Sequence, residues 1–201
     1  MTARRLAVKG AFEFCAPDFP DERGRFTTSL DQDAFVAAVG RPLFSVAQAC
    51  MSTSRRGVFR GVHYTAAPPG RAKYLWCASG RCHDIVIDLR VGSPTFGQHE
   101  TVTLDGDGRR ALYLPIGVGH AFLALADNTV MSYLVSGGYV PEREHALDPY
   151  DPALGLDLPP ASTLIRSARD RAAPRLAEAA RRNLLPDYAE CVRAETGVTA
   201  G

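Results

Sequence analysis

Ala72-Lys73-Tyr74-Leu75-Trp76-Cys77-Ala78-Ser79-Gly80-Arg81-Cys82-His83-Asp84-Ile85-Val86-Ile87-Asp88-Leu89-Arg90 is the stretch that decides the fold. It holds two runs of strand-forming residues, 72–78 and 84–90, separated by the turn formers Ser79-Gly80. Working outward, runs of the same kind appear at 58–65, 99–104, 111–114 and 129–135. Between them stand Pro68-Pro69-Gly70, Gly92-Ser93-Pro94, Asp105-Gly106-Asp107-Gly108 and Asp127-Asn128, each suited to a turn. Many short strands at close, even spacing predict a mainly β protein: a sandwich, barrel or jelly roll. Two segments break the rhythm. Residues 31–39 predict a short helix with Asp31 as N-cap. Residues 174–183 predict a second, carrying Leu176, Ala177, Glu178, Ala179 and Ala180, with Pro174 in the first turn. Residues 148–160, rich in Asp and Pro, read as an extended connector, and 189–201 as a frayed tail. No internal repeat is visible, and 1–201 is expected to be one domain.

Composition narrows the function. With 46% hydrophobic and 22% charged residues the chain has the balance of a globular protein with a substantial core. A net charge of +1 gives no general field for a polyanion, so no nucleic-acid partner is expected, and a nucleotide-type ligand must be held by a few placed cations. No stretch approaches the ~20 apolar residues that span a bilayer. The basic start lacks an apolar run behind it, so a cytoplasmic protein with no membrane partner is expected. The five cysteines are odd in number and contain no CxxC pair, which points to reduced thiols rather than zinc ligands or disulfides. Lys9 and Lys73 are the only lysines among 23 basic residues. A chain that otherwise writes Arg has kept an ammonium within an apolar run, either by chance or because a compact donor is needed there.

Of the histidines His63, His83, His99, His120 and His145, His63 draws attention first. On a strand through 58–65 it shares a face with Phe59, Gly61 and Thr65, which we expect to be the barrel interior. An imidazole there is either a satisfied core residue or a general base able to work near neutral pH. Arg60, three residues earlier, would lie on the opposite face of a regular strand, but a bulge at Gly61 would turn both inward. Lys73 and Tyr133 fall at inward-compatible positions beside Leu75 and Cys77, and beside Met131 and Val135. An inward Arg, Lys, His and Tyr in one barrel are costly without a ligand or paired carboxylates. Outward snorkelling is the competing reading for Arg60 and Lys73.

Pro115-Ile116-Gly117-Val118-Gly119-His120 matches the second half of the cupin pattern, PxGxxH. The first half, HxH followed by a carboxylate, is missing: Tyr64 and Thr65 follow His63. One imidazole per half is too few for a mononuclear site. The expectation is a cupin-type jelly-roll barrel with no metal and no cofactor.

Phe59-Arg60-Gly61-Val62-His63-Tyr64, Ala72-Lys73, the run from Asp84 to Gly97 and the Pro115–Phe122 turn together resemble the dTDP-4-keto-6-deoxyglucose 3,5-epimerase family. So do Asp21-Glu22-Arg23-Gly24, Asp151-Pro152-Ala153-Leu154-Gly155 and Ser167-Ala168-Arg169-Asp170. The motifs run in family order from about residue 17 to 188. Gly92-Ser93-Pro94-Thr95-Phe96-Gly97 looks especially like members from actinobacterial antibiotic-sugar pathways. The resemblance implies a homodimeric isomerase acting on a dTDP-linked 4-keto-6-deoxyhexose. His63 would be the base, oriented by Asp170; Tyr133 would return the proton to the opposite face; Lys73 would stabilise the enolate oxygen. His120 would support the pocket, a hydrogen-bonded turn residue being the alternative.

For the nucleotide, the resemblance assigns Arg23 and Arg60 to the diphosphate, which suits bidentate guanidinium chemistry. It assigns Phe26 and Tyr139 to packing on thymine and Gln48 to a polar contact. Ordinary core aromatics are the competing reading for Phe26 and Tyr139. Family dimers exchange N-terminal strands, so Arg23 and Phe26 would serve the neighbouring subunit. Cys50 and Thr28 depart from the family's usual Asn and Glu, and Cys is a weak hydrogen-bonding group. Two other readings remain: a 3,4-ketoisomerase of similar fold, and a cupin that only binds nucleotide sugars. The second gives no reason to hold base, acid and enolate stabiliser together.

Overall fold

The computed structural model describes residues 1–197. The strands form two antiparallel sheets. The first contains β1 (Thr2–Arg5), β2 (Phe12–Cys15), β5 (Gln48–Ser54), β7 (Lys73–Ser79), β10 (Arg110–Leu114) and β12 (Thr129–Val135), in the spatial order β1-β2-β10-β7-β12-β5. The second contains β6 (Phe59–Thr65), β8 (Arg81–Asp88), β9 (His99–Asp105), β11 (Val118–Ala124) and β13 (Glu144–Ala146), in the order β13-β6-β11-β8-β9. A small hairpin, β3 (Phe19–Asp21) with β4 (Gly24–Phe26), stands apart from both. From β7 to β12 the chain crosses repeatedly between the sheets, as in a jelly roll. The Ser79-Gly80 turn is one of these corners. Gly80 has a φ of +76°, and a Cβ there would lie 2.7 Å from the Thr129 hydroxyl, so the corner requires glycine.

Three apolar layers follow from strand alternation. Between the sheets, Leu75, Cys77, Leu112 and Met131 from one side meet Cys82, Val86, Leu104 and Phe122 from the other. The outer face of the second sheet, with Phe59, Val62, Ile85, Ile87 and Leu123, is covered by C-terminal segments through Leu147, Leu154 and Ala179. The outer face of the first sheet, with Phe14, Tyr74 and Tyr113, is covered by Phe35 of helix α1 (Gln32–Val39) and by Cys191. Each large side chain fully buried this way stabilises by about 1.5–3 kcal/mol. That supply offsets the polar groups desolvated at one end of the interior.

The predicted mainly β jelly roll is the observed architecture. Asp31 caps α1 as expected, accepting from the Ala34 backbone N–H, and the second expected helix appears as α3 (Leu176–Arg181). Two readings need correction. Residues 115–122 are not a turn throughout, because β11 begins at Val118 and is buried along its whole length. With both faces covered, β11 loses the polar–apolar alternation that marks a half-exposed strand. Residues 189–196 are not frayed, because they lie in α4 (Tyr188–Thr196). Asp187 caps this helix, and the Glu195 carboxylate accepts hydrogen bonds from the Ile116 N–H, Arg41 and Tyr113. Residues 198–201 of the expected tail lie outside the described residues.

Candidate active site

The register of β6 against β11 builds the first part of the site. His63 lies opposite His120, Arg60 opposite Phe122 and Phe59 opposite Leu123. Gly61 and Val62 therefore face Ala121 alone, which makes a bulge. Directly opposed residues share a face. Arg60 and His63 thus both lie on the Phe122 side, the arrangement a bulge at Gly61 allows, with the Arg60 side chain reaching out to the surface. Phe59 does not share that face; it belongs with Val62 and Tyr64 in the outer layer. The extra residue reverses the alternation between Phe59 and His63. Gly61 has a φ of +123°, and a Cβ there would stand 2.6 Å from the Ala121 Cβ and the His120 carbonyl oxygen.

His63 Nε2 is 2.7 Å from Asp170 Oδ1. Asp170 sits in the single turn α2 (Ala168–Arg171), whose N-cap Ser167 accepts from the Asp170 backbone N–H at 3.0 Å. The Ser-Ala-Arg-Asp run is thus a capped turn whose last residue, Asp170, aims its carboxylate at the imidazole. Burial pushes the Asp170 carboxyl up, and hydrogen bonds from His63, Ser167 and the Gly61 backbone outweigh it, leaving the carboxyl below its ordinary value. An ionised Asp170 fixes the proton on Nε2 and leaves Nδ1 as the basic nitrogen.

His120 is buried on β11, not in a turn, and its Nε2 is 2.7 Å from Oδ2 of the fully buried Asp84. Its ring meets the Tyr133 ring edge-on, with centroids 6.1 Å apart. Tyr133 lies opposite Leu75 on β7 and opposite Cys50 on β5. Leu75 and Tyr133 both belong to the interior layer, so Lys73, two residues before Leu75, falls on the same side. The Tyr133 hydroxyl lies 3.5 Å from that of Ser52, and burial raises the phenol well above its ordinary value. Burial pulls the Lys73 ammonium down to about 8, opposed by the charges of Glu144 and Asp84 and reinforced by Arg71. Glu144 is itself bound to Arg71 at 2.9 Å.

One interior end therefore holds a carboxylate-bound imidazole, a protonated phenol and a partly desolvated ammonium. Arg60 leans along its margin, donating to the Ser54 hydroxyl at 3.2 Å and the Thr53 carbonyl at 3.4 Å. Beside His63 a surface cleft is bordered by Arg60, Arg169 and Asp170. Among the described residues no three His, Cys, Asp or Glu side chains converge as metal ligands. Nε2 of His63 and Nε2 of His120 each face a carboxylate.

The remaining residues singled out in the sequence lie elsewhere. Gln48, on β5, accepts through Oε1 from Arg71 at 2.9 Å. Arg23, at the β3–β4 turn, is exposed and pairs with Asp21 at 2.6 Å. Phe26 is 71% exposed and Tyr139 57%, so neither is a core aromatic. Phe26 borders a cleft with Trp76 and Ala111, which pack with the outer layer of the first sheet. Within one chain, Arg23 and Phe26 are not brought to His63. Sequence reading missed Asp84, Ser52 and Glu144. Asp84 left a signal, a carboxylate at the start of the otherwise apolar Ile85-Val86-Ile87 run; Ser52 and Glu144 left none.

Comparisons with known proteins identify the family. The family model for dTDP-4-dehydrorhamnose 3,5-epimerase matches residues 5–178. A dTDP-4-dehydrorhamnose 3-epimerase of Streptomyces niveus is 47% identical over 191 residues, covering 95% of this chain and 91% of its own. A dTDP-4-dehydrorhamnose 3,5-epimerase of Mycolicibacterium smegmatis is 46% identical, with 95% and 94% covered. The crystal structure of NovW, a 4-keto-6-deoxy sugar epimerase from the novobiocin cluster of Streptomyces spheroides, superposes with a TM-score of 0.91 at 46% identity, covering 95% of both chains. ChmJ, a 3'-monoepimerase from Streptomyces bikiniensis solved with dTDP-quinovose, gives 0.89 at 42% identity and 96% coverage of both. No described helix is long and apolar enough to cross a membrane. With a family model matched over residues 5–178 and relatives at 46–47% identity aligned over 95% of its length, this jelly-roll chain belongs to the dTDP-4-dehydrorhamnose 3,5-epimerase family.

Proposed function

We propose that this protein is an epimerase of a dTDP-linked 4-keto-6-deoxyhexose, inverting C5, C3 or both without a cofactor. A carbon beside the C4 ketone is acidic once the enolate oxygen is stabilised. His63 removes that proton through Nδ1, while Asp170 holds the ring and stabilises the imidazolium that forms. Lys73 supplies the positive charge for the enolate oxygen. Tyr133, a phenol that is protonated near neutral pH and that burial makes still less acidic, returns a proton to the opposite face, and inversion follows. The observation that carries the reading is the 2.7 Å bond between His63 and Asp170, on a strand where His63 lies opposite His120, whose ring meets that of Tyr133.

Arg60, beside the His63 cleft, binds the diphosphate. Gln48 and Tyr139 contact the thymine end. Arg23 and Phe26, exposed and turned from their own chain's site, serve the site of a second copy in a homodimer; their 71% exposure in the case of Phe26 supports this. Relatives named for one centre and for both are almost equally similar, at 47% and 46% identity. The choice of centre therefore rests on the placement of the ring between the same groups, where sub-ångström differences decide rates.

The test is incubation with a dTDP-4-keto-6-deoxyhexose in D₂O, with the deuterium located by NMR. Label at C5, C3 or both is expected, with inverted configuration. Turnover that moves the carbonyl to C3 would instead identify a ketoisomerase, and no label in any position would leave only a binding protein.

A further inference from the structure

We infer that Asp84 is a positioning residue for the return of the proton, acting through His120 on the Tyr133 ring. The inference rests on the epimerase reading and deepens it. Asp84 has no exposed surface, and its Oδ2 accepts from His120 Nε2 at 2.7 Å. Its Oδ1 has no hydrogen-bond partner among the described residues. A buried carboxylate with one oxygen unbonded is unfavourable for folding alone, so a structural role does not account for it. Asp84 lies opposite Phe122 across β8–β11, which places it on the interior face with His120. The titratable groups around it include His120 on β11, Lys73 and the Cys77 thiol on β7, the Cys82 thiol on β8 and Tyr133 on β12, with His63 on β6 facing His120.

The physical consequence is directional. With Nε2–H committed to Asp84, the imidazole of His120 cannot rotate about its side chain, and its face and edge are fixed relative to its neighbours. The ring it meets edge-on at 77° is Tyr133. Among the described residues the one hydrogen-bond partner of the phenol is Ser52, at 3.5 Å, the limit of a hydrogen bond, so packing against His120 governs where the hydroxyl points. His63 has its own carboxylate, Asp170, on a different element. Two His–Asp pairs thus lie side by side, one serving proton removal and the other proton return.

Asp84→Asn tests this. The amide oxygen would accept from His120, but an amide nitrogen turned to the ring would favour the other tautomer, and in either orientation the charge is lost. In D₂O, proton removal by His63 continues, and deuterium returned to the same face gives exchange without inversion. The ratio of exchange to inversion is expected to rise roughly 10–100-fold, by analogy with the loss of a partner that orients a metal-ligating histidine, while KM changes little. An unchanged ratio, with both rates lowered together or neither lowered, overturns the inference. Absence of exchange in the wild-type protein would overturn the epimerase reading itself. Should Asp84→Asn not fold, ¹⁵N NMR of His120 in the wild type decides: a proton on Nε2 is expected, and a bare Nε2 with a proton on Nδ1 overturns the assignment.

Discussion

His63, His120 and Tyr133 are fixed by contacts within one chain, whereas Arg23, Phe26 and Tyr139 stand largely in solvent. The first group rests on central strands, and both histidines meet carboxylates at 2.7 Å. The second sits on a two-stranded hairpin and a loop, with Arg23 held only by a surface pair to its near neighbour Asp21. Reaction chemistry needs groups held to fractions of an ångström, and packed strands provide that. Nucleotide recognition, the role proposed for this exposed group, tolerates groups that complete their surroundings on assembly or on binding. The contrast implies that changes in the interior should lower kcat, and changes at the exposed rim should act mainly on KM.

The largest effects are expected inside. His63→Asn should lower kcat by ~10²–10⁴-fold with an unchanged thermal unfolding midpoint; wild-type turnover would remove His63 from the chemistry. Tyr133→Phe should lose a similar factor in net inversion yet still exchange the substrate proton with D₂O. If both variants retain wild-type rates, the interior is not the reaction site and the contrast fails.

Next comes the backbone that makes the interior possible. Gly61→Ala adds a Cβ 2.6 Å from Ala121 and the His120 carbonyl at a φ of +123°. A destabilisation of about 3 kcal/mol or more is expected in chemical denaturation. A change below 1 kcal/mol would show that the β6 bulge relaxes freely and does not lock His63.

Lys73 allows a pH test with opposite signs for activity and stability. Burial lowers its pKa to about 8, and in the proposed mechanism the charged form stabilises the enolate, so activity should fall as pH rises through 8. Lys73→Arg, which stays charged, should show residual activity without that fall. Because the folded value lies below the unfolded one, ~10.4, this lysine costs stability at neutral pH, and the cost is relieved between about 8 and 10.4. Lys73→Met should therefore be at least as stable as the wild type at pH 7, with the difference narrowing above pH 8.

The smallest effects belong to the rim. Phe26→Ala should raise KM several-fold and leave kcat nearly intact. A mixture of His63→Asn with Arg23→Ala and Phe26→Ala combined should contain hybrid dimers with one intact site, detectable as recovered activity at low substrate. No recovery, or a monomer in sedimentation, would return Arg23 and Phe26 to their own chain's surface. Cys50→Asn, opposite Tyr133, is expected to shift kinetics by only a few-fold, since the cysteine lies at the edge strand and is exposed.

What could be read from the chain alone is bounded by period and by local chemistry. Alternating runs with turn formers between them define the strands of a half-buried sheet, so the mainly β class and most strands of the second half were legible. The Asp31 cap was legible too, because capping depends on residues three apart. Motif order pointed to His63, Lys73, Tyr133 and Asp170, and Gly61 marked where a bulge would bring Arg60 and His63 to one face, although the sequence left outward snorkelling of Arg60 equally open. Tertiary structure decided what depends on partners distant in sequence. β11 became a strand because both its faces are covered, a condition its own residues do not announce. Helix α4 persists because Glu195 accepts from Ile116, Arg41 and Tyr113, between 79 and 154 residues away. Asp84 joined His120 across 36 residues, since a 2.7 Å bond between neighbouring strands depends on sheet register, and register is a property of the folded pair.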